Sequence, residues 1–155
     1  MSASQLRKAI VFEALQLVGV PYWWAGNDPA KDAGLDCSGF VLLALRRAGV
    51  SFPDMTARDL FVRCAEVEET DVLAGDLAVY GTRERITHVV LVIAPQGKAI
   101  VGANGGGPRR QNEAGSDYQA RMARVQASVR LEDHRRGGAR YRGDLVAYGR
   151  LPQVT

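Results

Sequence analysis

The run Phe40-Val41-Leu42-Leu43-Ala44-Leu45 leaves a helix no polar face, and it constrains the fold more than any other segment. A helix that is apolar all round has to lie in the middle of a molecule, covered on every side. Its limits are marked in the chain. Gly, Asn, Asp and Pro crowd residues 21–36 before it, and Arg46, Arg47 and Gly49 close it, the glycine as a C-terminal cap. At the seam stands Cys37, between Asp36 and Ser38.

The elements that could cover this helix follow a simple order. Leu6, Ile10, Ala14, Leu17 and Val18 share one face of an N-terminal helix that Gly19 and Pro21 end, and Ser2 with Gln5 has capping-box spacing. Thr56 with Asp59 opens a third, shorter helix through about Ala65. Then the pattern changes. Residues 75–80, 88–94, 99–103, 125–131 and 144–151 are short, rich in β-branched side chains and bounded by turn formers. Ala-Pro-Gln-Gly-Lys-Ala, 94–99, reads as a hairpin connection. Helices first and strands second predict an α+β fold with a mainly antiparallel sheet of about five strands. Residues 104–117 predict a mobile Gly-rich loop, and 133–144 a basic one. No internal repeat is visible.

The chain length of 155 residues points to one domain over 1–155. No apolar stretch approaches the ~20 residues that span a bilayer. Glu13 and Gln16 interrupt the apolar centre that a secretory leader needs, so the N-terminus reads as an amphipathic helix. If the protein acts outside a cytoplasm, something other than a cleaved leader has to deliver it. The net charge of +3 suits an anionic partner without choosing one. Cys37 and Cys64 read as free thiols, Cys64 as packing among Leu60, Phe61 and Val67. No CxxC or HxxxH pair offers a chelating hook, so neither a metal nor another cofactor is expected.

Chemistry concentrates at Cys37. A thiol at a helix N-terminus meets the positive end of the dipole and unpaired N–H groups, both of which favour thiolate. Substantial ionisation at neutral pH takes about 2.7 kcal/mol of differential stabilisation, and a helix end supplies ~0.3–1 kcal/mol. A cationic partner is needed. Of the two histidines, His134 lies in a charged loop, whereas His88 opens the apolar strand His-Val-Val-Leu-Val-Ile-Ala. His88 is the better partner, because an imidazolium beside a thiolate is what makes cysteine nucleophilic.

Pro-Tyr-Trp-Trp-Ala-Gly (21–26), Leu-Asp-Cys-Ser-Gly-Phe-Val (35–41), Leu-Ala-Gly-Asp-Leu-Ala-Val-Tyr (73–80) and Thr-His-Val-Val-Leu-Val-Ile (87–93) together resemble the NlpC-type cell-wall cysteine peptidases. The resemblance implies a papain-like fold and hydrolysis of peptidoglycan stem peptides at the bond between D-Glu and a diamino acid. Cys37 would be the nucleophile and His88 the base, with the Cys37 N–H holding the oxyanion. Tyr22, Asp36 and Ser38 would lie beside the substrate and meet its free amine. Asp36 also has the makings of a helix cap. The family's third, orienting residue falls near Gly102, where no side chain exists. Asn104 lies two residues on, on the same face of an extended chain, and could complete a Cys-His-Asn set or simply begin the glycine turn. Trp23 and Trp24 suit a binding cleft, with one of them expected in the core. Arg135, Arg136, Arg140 and Arg142 could lean on an anionic wall polymer. The alternatives to hydrolysis are thiol-dependent acyl transfer on the same fold and an inactive phage-tail or wall-binding module. Either way the expected partner is wall peptide and not nucleic acid, with phage-tail or secretion proteins as further candidates and delivery to the wall by lysis, phage or injection.

Overall fold

The structure, a computed structural model, describes residues 1–133 and 142–155. His134, Arg135, Arg136 and Arg140 lie outside the described residues. Helix α1 (Ala3–Gln16) begins at the expected capping box. The Ser2 hydroxyl accepts the Gln5 N–H at 3.1 Å, and the Ser2 N–H donates to Gln5 Oε1 at 2.8 Å. Ile10, Ala14 and Leu17 enter the core, while Val18 stays outside. Helix α2 (Cys37–Arg47) is buried continuously from Ser38 to Leu45, as its lack of a polar face requires. Each large apolar side chain it removes from water contributes ~1.5–3 kcal/mol. Helix α3 (Ala57–Val62) carries a second capping box, between Thr56 and Asp59.

Six strands make one antiparallel sheet among the described residues, so the α+β reading stands with one strand added. They are β1 (Ala65–Val67), β2 (Leu77–Gly81), β3 (Ile86–Val92), β4 (Ala99–Asn104), β5 (Ser128–Asp133) and β6 (Leu145–Arg150), in spatial order β1-β6-β2-β3-β4-β5. The added strand, β1, has three residues and pairs only with β6. Between β4 and β5 the chain forms α4 (Gly115–Arg124), where sequence periodicity had predicted only loop up to 117.

Strand alternation divides the side chains between two faces. Leu77, Val79, Val89, Leu91, Val101 and Ala103 pack with α1 and α2 in the main core. Ala78, Tyr80, Val90, Val92, Ile100 and Tyr148 form a second cluster on the other face. The hairpin at 94–99 joins β3 to β4 as expected. Their ladder contains only the pairs Leu91–Val101 and Val92–Ile100. Towards the start of β3 the two strands therefore part, and that opening is where the sheet meets the first turn of α2.

At the opposite end of β2, Asp76 is wholly buried. Arg150 grips it with two bonds, Nε to Oδ1 at 3.0 Å and Nη2 to Oδ2 at 2.8 Å. Arg7 Nη1 adds a third at 3.0 Å and the Leu73 N–H a fourth at 2.9 Å. This knot ties α1, β2 and β6 together, and Arg7 also reaches the Val154 carbonyl.

Candidate active site

The first turn of α2 is built around Asp36. Its Oδ1 accepts the Gly39 N–H at 2.7 Å and the Ser38 hydroxyl at 3.3 Å, so Asp36 is the N-cap. Gly39 is required by the loop before the helix. A Cβ there would run into the Gly26 carbonyl oxygen, the same oxygen that accepts the Asp36 N–H at 2.9 Å. The loop can thus lie flat against the helix end. It carries Tyr22, which is buried and meets Tyr118 of α4 edge-on at 5.7 Å.

His88 sits on β3 directly across from Tyr80, and their rings are 5.6 Å apart. Asn104 ends β4, beyond the last β3–β4 pair, and lines the same cleft as His88. Both are buried, yet His88 Nε2 and the two polar atoms of the Asn104 amide have no hydrogen-bond partner. The bond from the imidazole to Asn104 is not made. Gly102 explains the absence of a side chain at the earlier position. A Cβ there would meet Val90 Cγ1 at 2.5 Å and Asn104 Oδ1 at 2.9 Å, so the Asn104 amide leans back over the glycine.

All six residues singled out from sequence, Tyr22, Asp36, Cys37, Ser38, His88 and Asn104, line one cleft of about 600 Å³. That volume is in the range of small-molecule and peptide sites. The backbone N–H groups of Val89 and Ser38 both point at the Cys37 sulfur. The thiol therefore lies against the residue that follows His88, at the gap between α2 and β3.

Electrostatics in the cleft differ from the expected thiolate–imidazolium pair. Burial pushes the Cys37 thiol up to about 12, and Asp36 pushes the same way. The two N–H groups and Arg142 work against this rise without cancelling it. Burial also drives His88 down to about 3, helped by Arg142 and opposed by Asp144. The resting pair is thiol and neutral imidazole. Desolvation of two charges outweighs what the helix end provides. Burial raises Asp36 to about 6 despite its bonds to Gly39 and Ser38. Tyr22 is held far above the usual phenol range, chiefly by burial.

Three cleft residues escaped the sequence reading. Tyr118 and Met122 come from α4, whose only apolar signal is that one i, i+4 pair. Arg142 was assigned to surface chemistry, but it enters the cleft. Arg109 stacks over Trp24 at 5.1 Å, bringing the 105–109 loop across the opening. Neither tryptophan is core, since Trp23 is 40% and Trp24 38% exposed. Cys64 is packing, as expected, with its thiol donating to the Leu60 carbonyl at 3.4 Å. No cluster suited to a metal ion occurs among the described residues.

The family model for the NlpC/P60 family matches residues 19–127, and the chain belongs to that family. The chain is 34% identical over 89 residues to the bifunctional muramidase/DL-endopeptidase CwlT of Bacillus subtilis, covering 56% of this chain and 26% of that protein. It is 47% identical over 74 residues to a probable endopeptidase of Mycobacterium tuberculosis, covering 48% and 18%. It thus spans about a quarter or less of the length of these relatives. Among solved structures, the peptidoglycan hydrolase RipB of Mycobacterium tuberculosis superposes with a TM-score of 0.67 at 22% identity, over 96% of this chain and 66% of that one. At that identity the superposition speaks for the papain-like fold alone.

Proposed function

We propose that this chain is a cysteine endopeptidase of peptidoglycan stem peptides, cutting between D-Glu and the diamino acid. The observation that carries the reading is the cleft shared by the Cys37 thiol and the His88 imidazole, with the acidic Asp36 beside them. Family membership and the names of the relatives, among them a DL-endopeptidase, support it.

With both groups neutral at rest, attack and proton transfer are coupled. As the Cys37 sulfur bonds to the scissile carbonyl carbon, its proton passes to His88, which is unprotonated at neutral pH and so competent as a base. The oxygen of that carbonyl takes up the negative charge and faces the Cys37 N–H, one of the first-turn donors that an α-helix leaves unpaired. Collapse breaks the C–N bond, and the imidazolium returns its proton to the leaving amine. Water, deprotonated by His88, then opens the thioester. Asp36, ionised above about pH 6, receives the free amine of the stem peptide, with Tyr22 and Ser38 at its side. Asn104, in the same cleft with an unpaired amide oxygen, is the candidate acceptor for the imidazolium.

The test is incubation with purified sacculi and mass spectrometry of the released fragments. Soluble peptides ending in D-Glu, absent with Cys37→Ala, are expected. Turnover that survives Cys37→Ala would remove the proposal, and capture of added amines in place of water would convert it into acyl transfer.

A further inference from the structure

The position that usually orients the base is a glycine in this chain, and Asn104 makes no bond to His88. Something else must fix the imidazole. Its ring is packed on Tyr80, with planes inclined at 47°. The Arg142 guanidinium lies over the same Tyr80 ring, its Cζ 5.3 Å from the centroid. Asp144 clamps that guanidinium at 2.9 Å from Nε and 2.8 Å from Nη2. The Asp144 carbonyl is in turn anchored by the Gly81 N–H at 3.0 Å. Tyr80 occupies the point where β2 changes register against both β3 and β6. A bulge of this kind re-aims a side chain, and such bulges gather beside active sites.

We infer that Arg142 is the positioning residue for His88, fixing the ring through Tyr80. The inference rests on the reading of His88 as base. It moves the orienting task from β4, where Gly102 cannot perform it, to the segment that leads into β6. The titratable groups around the imidazole are consistent with this division. Cys37 approaches from α2, Tyr80 from β2, and Arg142 with Asp144 from the chain before β6, while Asp36 and Arg85 line the same cleft further off. The Arg142 charge, stacked on Tyr80, raises the free energy of the imidazolium and also favours the anionic sulfur. The first effect eases return of the proton to the leaving amine, and the second eases its departure from the thiol.

Proton NMR of the imidazole C2–H reads this without any assay of hydrolysis, because the chain has only two histidines and His88→Gln assigns the signals. In the wild type the His88 signal should hold its neutral position down to about pH 4. Arg142→Gln should raise the midpoint by roughly one pH unit or more, a tenfold gain in proton affinity, moving the transition into the visible range. Asp144→Asn should move it the opposite way, and Arg142→Lys should keep it low. In turnover of stem peptide, Arg142→Gln should lower kcat about tenfold with KM within about twofold, and shift the acidic limb upward with the NMR midpoint. An unchanged midpoint in Arg142→Gln overturns the inference, as does a shift of equal sign in Asp144→Asn. Should no variant or wild type cleave peptide, the proposed function falls while the titrations still decide the role of Arg142. If Arg142→Gln does not fold, Asp144→Asn and Arg142→Lys carry the test.

Discussion

Two ends of the same sheet bury polar groups in opposite ways. At Asp76 each carboxylate oxygen has two donors, so the charge is fully answered by Arg7, Arg150 and the Leu73 N–H. At His88 and Asn104 three buried polar atoms have none. A satisfied network rigidifies, whereas an unsatisfied one costs about 1–3 kcal/mol per group. The first end secures the fold, and the second leaves three hydrogen-bonding atoms unused, as the proposed reaction needs.

The largest effect should come from breaking the satisfied end. Asp76→Ala leaves two arginines facing a buried void without their counter-ion, a change that typically costs 3–5 kcal/mol. Thermal unfolding should fall by about 10 °C or more. A variant with wild-type melting would show that the knot adds nothing to stability and that the contrast is false.

Acid should act on the other end. The imidazole of His88 sits near 3 when folded, against about 6.5 unfolded. Between those values the unfolded chain binds the extra proton, so stability is fully present above pH 6.5 and is lost as pH falls toward 3. At pH 4 the loss amounts to ~3 kcal/mol. Denaturant melts at pH 4 and pH 7 should differ more for the wild type than for His88→Gln by about that amount. Equal differences would mean that the ring is not desolvated.

How much of this was legible beforehand follows from the physics of each element. Strands β4 and β6 were read to within a residue or so, because each is a short apolar run between turn formers. α2 was unmistakable because burial on every side leaves it no polar face. β1 escaped because two of its three residues are exposed, and α4 because only Tyr118 and Met122 mark its buried side. The Asp-Cys-Ser-Gly stretch disclosed the site through local needs: a cap, a nucleophile, a hydroxyl for the cap and a glycine for the Gly26 carbonyl. Arg142 could not be found that way. Its role depends on a fold-over against Tyr80, more than sixty positions earlier, and no local pattern encodes that.

A smaller effect should come from Asn104→Leu. Removing an amide whose donor and acceptor are both buried without partners relieves a penalty, so stability should rise by about 1 kcal/mol, or ~2–4 °C in melting. Hydrolysis should fall about tenfold if the amide serves the imidazolium. A variant that is less stable would place Asn104 with Asp76, among the groups the fold depends on.

The finest distinction concerns Asp36, which is a satisfied cap and, in the proposed function, also a charge offered to the substrate. Asparagine caps a helix as well as aspartate does and carries no charge to desolvate, so at pH 7 Asp36→Asn should melt no lower than the wild type. It removes only the charge. The free amine of a stem peptide then loses a partly buried partner, and KM should rise several-fold, about 1 kcal/mol, with kcat little changed. Blocking that amine by acetylation should erase the difference between variant and wild type. The pH dependence carries the same sign. Burial holds this carboxyl near 6, so wild-type KM should climb as pH drops through 6, while that of Asp36→Asn should stay flat. If KM for the free amine is unmoved by the substitution, Asp36 is a cap and nothing more, and recognition of the amine passes to Tyr22 and Ser38.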